Sequence, residues 1–587
     1  PTAPDRPVSG RAHERFPMQF PAEFLREQLS RLLEPRFGRP LPEPLVEPCG
    51  DPRFGDLQSS AALVLGRRDG LDPRALALEL AAALGETDWS APPEVAGPGF
   101  LNFRLKPERC FSAFAEMVAD PRLGIEKTEE PRTVVIDFSS PNIAKEMHVG
   151  HLRSTILGES LARIYRFAGH RVITVNHLGD WGTQFGMVLL GFKRRGEEAR
   201  LEERPLEYLE ELYQQIQASA KEDPTIREAA KTELWKLQHG DPENLALWQR
   251  FVETSKVELA RIYEELGVHF DFTMGESAYR DQLPSIVHDL LAASIARPSQ
   301  GAVCVFFPDD PELHDKPFLI QKSDGAYLYA TTDLAALRFR VGEWKADRIL
   351  YVTDGRQRLH FRQLAATAKL WGMAVEIDHV WFGSILGEDK KPLKTREGKP
   401  IKLRELLSEA QRRASAILAE KRPELPEEQK SRIARAVGIG ALKYADLSQN
   451  RNLDYVFRWE KLLSFEGNTA PYLLNAYVRI RAILRKAEAS GLSPTAAPLG
   501  EPAEVRLVKL LLEFSPALRR VENENRPHFL CTYLYELARS FHQFYESCPV
   551  LTAPPPLRGA RLALCRGAAA TLGAGLDLLG IERLEEM

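Results

Sequence analysis

The sequence predicts a multidomain α/β fold: a small α+β unit first, a parallel-sheet unit with a helical insertion next, and an all-α bundle last. Three observations carry that prediction. The run TVVIDF from Thr133 is a β-branched stretch of the kind that forms a parallel strand covered on both faces. A loop, a helical stripe and a second strand follow it, and the right-handed crossover of such a βαβ unit implies an open α/β sheet. From about Leu403 to Met587 strand-like alternation is absent and the chain reads as helical. At roughly 150 residues per domain the chain holds about four domains, each able to bury a core without disulfide or metal staples.

Taken in order, residues 1–17 contain no apolar core segment, and Arg6, Arg11 and Arg15 are mixed with Asp5 and Glu14; they read as a flexible tail. The first domain, residues 18–106, opens with the amphipathic helix FPAEFLREQLSRLLEP and passes a Gly/Pro-rich turn region, PCGDPRFGDLQ. A second helix, DPRALALELAAALG, has Asp72 to cap it and Gly85 to close it, and FLNFRL alternates as a strand does. The second domain, residues 107–402, carries TVVIDF, the loop SSPNIAKEMHVG and the helix HLRSTILGESLARIYRFAG. Leu152, Ile156, Leu161, Ile164, Tyr165 and Ala168 form that helix's apolar stripe, with Gly169 where a C-cap belongs and RVITVNHLGD as the next strand. Residues 192–267 form a charged helical insertion whose acids and bases intersperse as on a solvated surface. Strand-like VCVFFP, AYLYATT, RILYVTD and HVWFGS follow, with helical RLHFRQLAATAKLWG between the last two, so a second α/β half is expected. Residues 403–587 make the all-α domain.

Composition narrows the function. Hydrophobic residues at 44% and charged residues at 27% describe a folded chain, not a disordered one. No apolar run reaches the roughly 18 residues of a membrane span. The nearest candidate, Leu562–Gly580, is interrupted by Arg566 and Asp577. A net charge of −4 excludes global basicity, so any nucleic acid must be met by local patches. The six cysteines form no CxxC pair, so neither a zinc site nor a redox dithiol is expected, and the usage suits a reducing cytoplasm.

The most informative spot is His148-Val149-Gly150-His151, where a strand has delivered the chain to the ligand-binding edge of an open sheet and a helix begins. Gly150 admits close approach to the backbone, and a helix N-terminus favours phosphate. The two imidazoles, three residues apart, share a helical face from which ring N–H groups can reach a triphosphate. By itself an H-x-x-H pair is also compatible with a metal or with no ligand, but no third metal ligand lies near in sequence.

The surrounding segment, DFSSPNIAKEMHVGHLRSTILGESLARIYRFAGHRVITVNHLGDWGTQFG, resembles the nucleotide-binding half of class I aminoacyl-tRNA synthetases, and in particular the arginyl-tRNA synthetase family. His148-Val149-Gly150-His151 matches the HIGH signature with Val for Ile; Ser140 to Lys145 and the block Gly179 to Gly186 are arginyl-type. The second class signature, the KMSKS loop, is similar to Lys391 to Gly398, where Thr395 holds the place of the second lysine. The resemblance implies a Rossmann-like catalytic domain, ATP as Mg-ATP, L-arginine and tRNA(Arg) as substrates, no bound zinc, and no membrane. A monomer in the cytoplasm is the expected state. It implies catalytic roles for His148, His151, Lys145, Lys394 and Arg396, with Lys145 supplying the cation that Thr395 removes. Gly150, Gly179, Asp180 and Gln184 join the two histidines around ATP.

A guanidinium substrate demands planar acceptors in a bidentate arrangement. The resemblance implies Asn142, Tyr329, Asp333 and Gln357 for the arginine pocket, with Ser140, Pro141 and His151 beside the amino acid, and Asp137 and Glu276 as further candidate acids. Tyr329 and Asp333 have i,i+4 spacing and share a face if a helix begins there. For tRNA, the helical domain offers Tyr472, Tyr477, Arg479 and Arg481, and the stretch NLDYVFRWEKLLSFEG offers Tyr455 and Phe457. The resemblance further implies an anticodon-binding bundle, an N-terminal domain against the outer corner of the tRNA, attack by the terminal 2′-OH, and activation that requires bound tRNA.

Overall fold

The structure is a computed structural model that describes residues 20–38, 45–51, 53–393, 400–495 and 497–587; the expected tail at 1–17 lies outside them. Two compact units are present. One takes the described residues up to Glu126 together with Ile483–Arg519 and Arg539–Thr571. Its antiparallel sheet runs in the order Val46–Pro48, Leu57–Ser59, Phe100–Phe103, Glu94–Ala96. Helix Pro21–Phe37 buries Leu25, Leu29 and Leu33, one per turn, and Asp72 caps helix Pro73–Leu84 by accepting from the Arg74 amide at 3.0 Å. Within the same unit Lys509 pairs with Asp56 at 2.7 Å and buried Arg561 with buried Glu504 at 2.7 Å.

The other unit contains Lys127–Ala482, Arg520–Ala538 and Leu572–Met587. At its centre is an all-parallel five-stranded sheet in the order Glu376–His379, Arg348–Val352, Thr133–Phe138, Arg171–Leu178, Phe272–Gly275. Chain order reverses between Thr133–Phe138 and Arg348–Val352, and that switch point opens a crevice at the strands' carboxyl ends. Helix Val149–Ala168 lies close on this sheet because Gly158 faces Phe138, where a Cβ would come within 2.1 Å of the ring. Gly169 ends the helix at φ 102°.

The insertion is helical as expected, with helices Glu198–Glu203, Pro205–Glu222, Pro224–Gln238 and Pro242–Glu265 after Gln184–Arg195. Pro in the first turn behind Asp223 or Asp241 as cap defines the starts of two of them. It is less solvated than its charge suggested, since Leu206, Tyr208, Leu209, Leu212 and Ile216 are buried.

Three strand expectations change. VCVFFP contributes Ala302–Val305 to a separate antiparallel sheet with Ala296–Ser299 and Phe318–Gln321, not to the parallel one. Gln300 and Gly301, both at positive φ, make the two-residue turn that this hairpin needs. AYLYATT is the start of helix Tyr329–Gly342: the Thr331 hydroxyl accepts from the Leu328 amide at 3.3 Å and caps it. HVWFGS only overlaps its strand, which is Glu376–His379. The region after Leu403 is helical apart from the short Tyr455–Val456, which pairs in parallel with Ile385–Leu386.

Candidate active site

The loop after Thr133–Phe138 is strained and pinned. Ser139, Ser140 and Ala144 sit at φ 69°, 47° and 62°, a backbone region that costs a non-glycine residue about 1–3 kcal/mol. The Ser139 amide donates to Ser154 Oγ at 2.8 Å, and the Ser140 amide to Asn176 Oδ1 at 3.1 Å. Pro141 is buried, and its carbonyl accepts from the Gly179 amide at 3.1 Å, while the Ile143 amide donates to Gly179 O at 3.1 Å. Asn142 lies against Gly179, where a Cβ would be 2.1 Å from Asn142 Oδ1. The Gln184 side chain donates to the Gly179 carbonyl at 3.4 Å. The two arginyl-type sequence blocks are thus one interlocked surface.

At the end of this loop the two imidazoles cap helix Val149–Ala168. The Gly150 amide donates to His148 Nδ1 at 3.1 Å, and the His148 amide donates to His151 Nδ1 at 3.1 Å. The rings lie 4.1 Å apart. A nitrogen that accepts from an amide carries no proton, so each neutral ring holds its proton on Nε2. Burial pushes His148 below the ordinary histidine value, and burial with the neighbouring His148 pushes His151 down to about 3. At neutral pH the corner therefore presents two uncharged N–H donors at a helix N-terminus.

Elsewhere in the same unit is a cluster of acids. Asp333, on the first turns of helix Tyr329–Gly342, accepts from His360 Nε2 at 2.6 Å. Burial acts to raise its carboxyl, but His360, His177 and Arg340 outweigh burial and hold it below 3.8. Glu276, at the end of strand Phe272–Gly275, is driven up to about 8 by burial and then by the negative charges of Asp333 and Asp180. Tyr329 is 61% exposed at the same helix end, and exposed Gln357 closes the turn after strand Arg348–Val352.

Two acids expected at substrate are occupied by the protein itself. Asp137 is buried, bonded to Arg340 at 2.6 Å and accepting from Ser140 Oγ at 2.9 Å. The chain's own guanidinium fills the role assigned to the ligand. Asp180, expected at ATP, accepts from the Ser277 amide and hydroxyl at 2.8 and 2.7 Å, and burial raises its carboxyl. Lys145 lies with its Nζ 5.1 Å from the Tyr213 ring centre. Lys394 and Arg396 lie outside the described residues. His360, Arg340 and Tyr213 were missed by sequence reasoning; only His360, three residues past Gln357, stood near a motif residue.

Of the residues expected at tRNA, Tyr477 is buried at 4% exposure and packs in the core. Tyr472 lies 5.5 Å from Tyr535, Arg481 pairs with Glu585 at 2.9 Å, and Arg479 is exposed. Tyr455 and Phe457 line a cavity of about 290 Å³ with Tyr444, Arg458, Lys461 and Asn468. The Tyr455 hydroxyl is bonded to Asp446 at 3.2 Å. Among the described residues no group of three or more His, Cys, Asp or Glu side chains could hold a metal ion, and no helix is long and apolar enough to cross a membrane.

A parallel sheet with a paired-imidazole helix start at its switch point defines a class I tRNA synthetase, and the family model for the arginine-type catalytic domain of that class matches residues 114–459. The models of the arginyl-tRNA synthetase N-terminal domain and the DALR anticodon-binding domain match 23–105 and 473–587. A protein named arginine–tRNA ligase from Synechococcus sp. is 45% identical over 586 residues, covering 97% of this chain and 100% of that protein. One of the same name from Azotobacter vinelandii is 46% identical over 552 residues, covering 92% and 95%. Solved arginyl-tRNA synthetases from Plasmodium falciparum and Thermus thermophilus match with TM-scores of 0.83 each at 26% and 27% identity, covering 98% and 97% of this chain and 100% of theirs. The chain belongs to the arginyl-tRNA synthetase family and is an aminoacyl-tRNA ligase.

Proposed function

We propose that the chain activates L-arginine with Mg-ATP to arginyl-adenylate and pyrophosphate, then passes arginine to the 3′-terminal ribose 2′-OH of tRNA(Arg). The observations that carry this reading are two neutral Nε2–H donors, fixed by their capping bonds, and the Asp333–Glu276 acid pair within the same unit. The arginine carboxylate attacks the α-phosphorus in line. His148 and His151 donate to phosphate oxygens whose charge grows on the way, and the helix start of Gly150 adds amide dipole. Because both rings are neutral and already oriented, little reorganisation accompanies the step. Lys145 adds positive charge toward the leaving pyrophosphate, supported by Lys394 and Arg396. Magnesium enters with ATP as part of the substrate.

Asp333 and Glu276 take the guanidinium, with Tyr329, Gln357 and Asn142 around it and Ser140 and Pro141 beside the α-amino end. An uncharged analogue would leave this acidic socket without a counter-cation, which discriminates strongly. For tRNA, residues 18–106 meet its outer corner, residues 403–587 bind the anticodon arm, and the cavity beside Tyr455 and Phe457 has the size and aromatic lining for an unstacked base. The chain acts as a monomer in the cytoplasm. ATP–pyrophosphate exchange tested with arginine, lysine and glutamate, with and without tRNA, checks the reading. Exchange with arginine alone among them, dependent on tRNA, is expected; exchange driven by lysine or glutamate instead would sink it.

A further inference from the structure

The inserted helix Pro205–Glu222 reaches the loop that ends in the two histidines, and it does so with two side chains one turn apart. Glu210 Oε2 accepts from the Glu146 amide at 3.1 Å, and the Tyr213 ring lies under the Lys145 ammonium at 5.1 Å. Glu146, next to Lys145 in the chain, and Glu210, one turn from Tyr213, make their polar contacts with other groups. Glu210 also accepts from Gln214 at 3.2 Å, and Glu146 pairs with Lys402. Lys402 belongs to a ladder that joins the far side of the basic loop to the histidine corner: the Val149 amide donates to Ile401 O at 3.0 Å and the Leu403 amide to Met147 O at 2.8 Å. The Tyr213 ring is itself steadied by Gln217, which donates to its hydroxyl at 3.1 Å.

We infer that Tyr213 is a positioning residue for activation: it holds Lys145 beside the histidine corner as an unneutralised cation, ready for the pyrophosphate oxygens. The inference rests on the role proposed above for Lys145. An aromatic face suits this task better than a carboxylate would. It attracts the ammonium through its quadrupole without cancelling its charge, and its hold is weak enough to yield to phosphate. A helical insertion of the catalytic domain thereby supports the chemistry directly.

The test is single-turnover adenylate formation and pyrophosphate exchange by the full chain with ATP, arginine and tRNA. Tyr213→Leu is expected to slow activation by about three- to tenfold, the range that a partly exposed cation–π contact spans, with the KM for arginine unchanged. Tyr213→Phe recovers what Tyr213→Leu loses, since it keeps the ring. In a Lys145→Ala background Tyr213→Leu has no further effect, a coupling that a merely structural role would not produce. Circular dichroism and melting confirm that each variant is folded. Multiplying defects in the double variant, or full activity of Tyr213→Leu beside an impaired Lys145→Ala, overturns the positioning role alone. Full activity of Lys145→Ala overturns the reading of Lys145 and the positioning role with it.

Discussion

The histidine corner and the acid socket belong to the same unit, and they are built on opposite principles. In the corner both Nδ1 atoms already accept backbone amides, which fixes the rings, keeps them neutral and leaves an Nε2–H on each. In the socket, Glu276 is raised to about 8 by burial first and then by the like charge of Asp333 and Asp180. The corner is complete before ligand arrives; the socket is complete only with a cation inside. The first arrangement suits a group that must stabilise charge appearing during reaction, where prior orientation is what counts. The second suits recognition of a charge that is permanent, because the ligand's binding free energy includes relief of the repulsion already present.

The largest effect expected from breaking this contrast is at Asp333. Asp333→Ala removes the acid that stays ionised in the free protein and leaves Glu276 alone to meet the guanidinium. A loss of about a thousandfold in kcat/KM for arginine, ~4 kcal/mol, is expected. The KM for ATP should hold, and arginine's advantage over neutral analogues in pyrophosphate exchange should shrink. A matching rise in the KM for ATP would mean that the two regions are not separable in this way.

The corner can be dissected next, because capping and donation use different nitrogens. Asn is a good N-cap, so His148→Asn keeps the acceptor for the Gly150 amide while removing the Nε2–H. Melting should move little, whereas activation should slow about a hundredfold, ~3 kcal/mol, with the KM for arginine unchanged. His148→Ala should lose activity to the same degree and also about 1 kcal/mol of stability. Equal melting temperatures for the two variants would show that the cap does not stabilise the helix start.

The same contrast explains what could be read from sequence. The corner is encoded within four consecutive residues, His148 to His151, and Gly169 closes its helix in the position that spacing predicts. Strands Thr133–Phe138, Arg171–Leu178 and Arg348–Val352 were legible as β-branched runs, whereas Glu376–His379 was anticipated only at its last residue and Phe272–Gly275 not at all. The socket is assembled from the ends of separate elements, and which acid is left free depends on partners far away in the chain. Asp137 looked available until Arg340, 203 residues on, took it. Asp333 is presented by a helix whose first residues, Tyr329-Ala330-Thr331-Thr332, carry strand-like chemistry. The Thr331 hydroxyl accepts from the Leu328 amide at the helix start and donates to the Ile320 carbonyl, a tertiary contact that the local pattern does not show. Tyr213 was hidden for a similar reason: within a charged helical run nothing distinguishes the ring that reaches Lys145 from one that packs.

The smallest of the effects, and the one that most sharpens the comparison, is the response to pH. With Glu276 at about 8, most molecules carry its proton at pH 7 while the socket is empty. Arginine's guanidinium favours the ionised carboxylate, so binding releases a proton whenever the pH lies below 8. Above that value no deprotonation cost remains; below it each unit raises the arginine KM by up to about tenfold. The KM for arginine should therefore fall as pH rises from 6.5 to 8 and level off beyond. Glu276→Gln should bind less tightly at pH 8.5 and lose the slope. The corner gives the opposite expectation: His148 and His151 are both held below the ordinary histidine value, so the KM for ATP should stay flat across the same window. Titration of both KM values in one series of buffers checks the two regions together. Parallel slopes for arginine and ATP would show that one group titrates for both, and the division between a finished corner and an unfinished socket would fall.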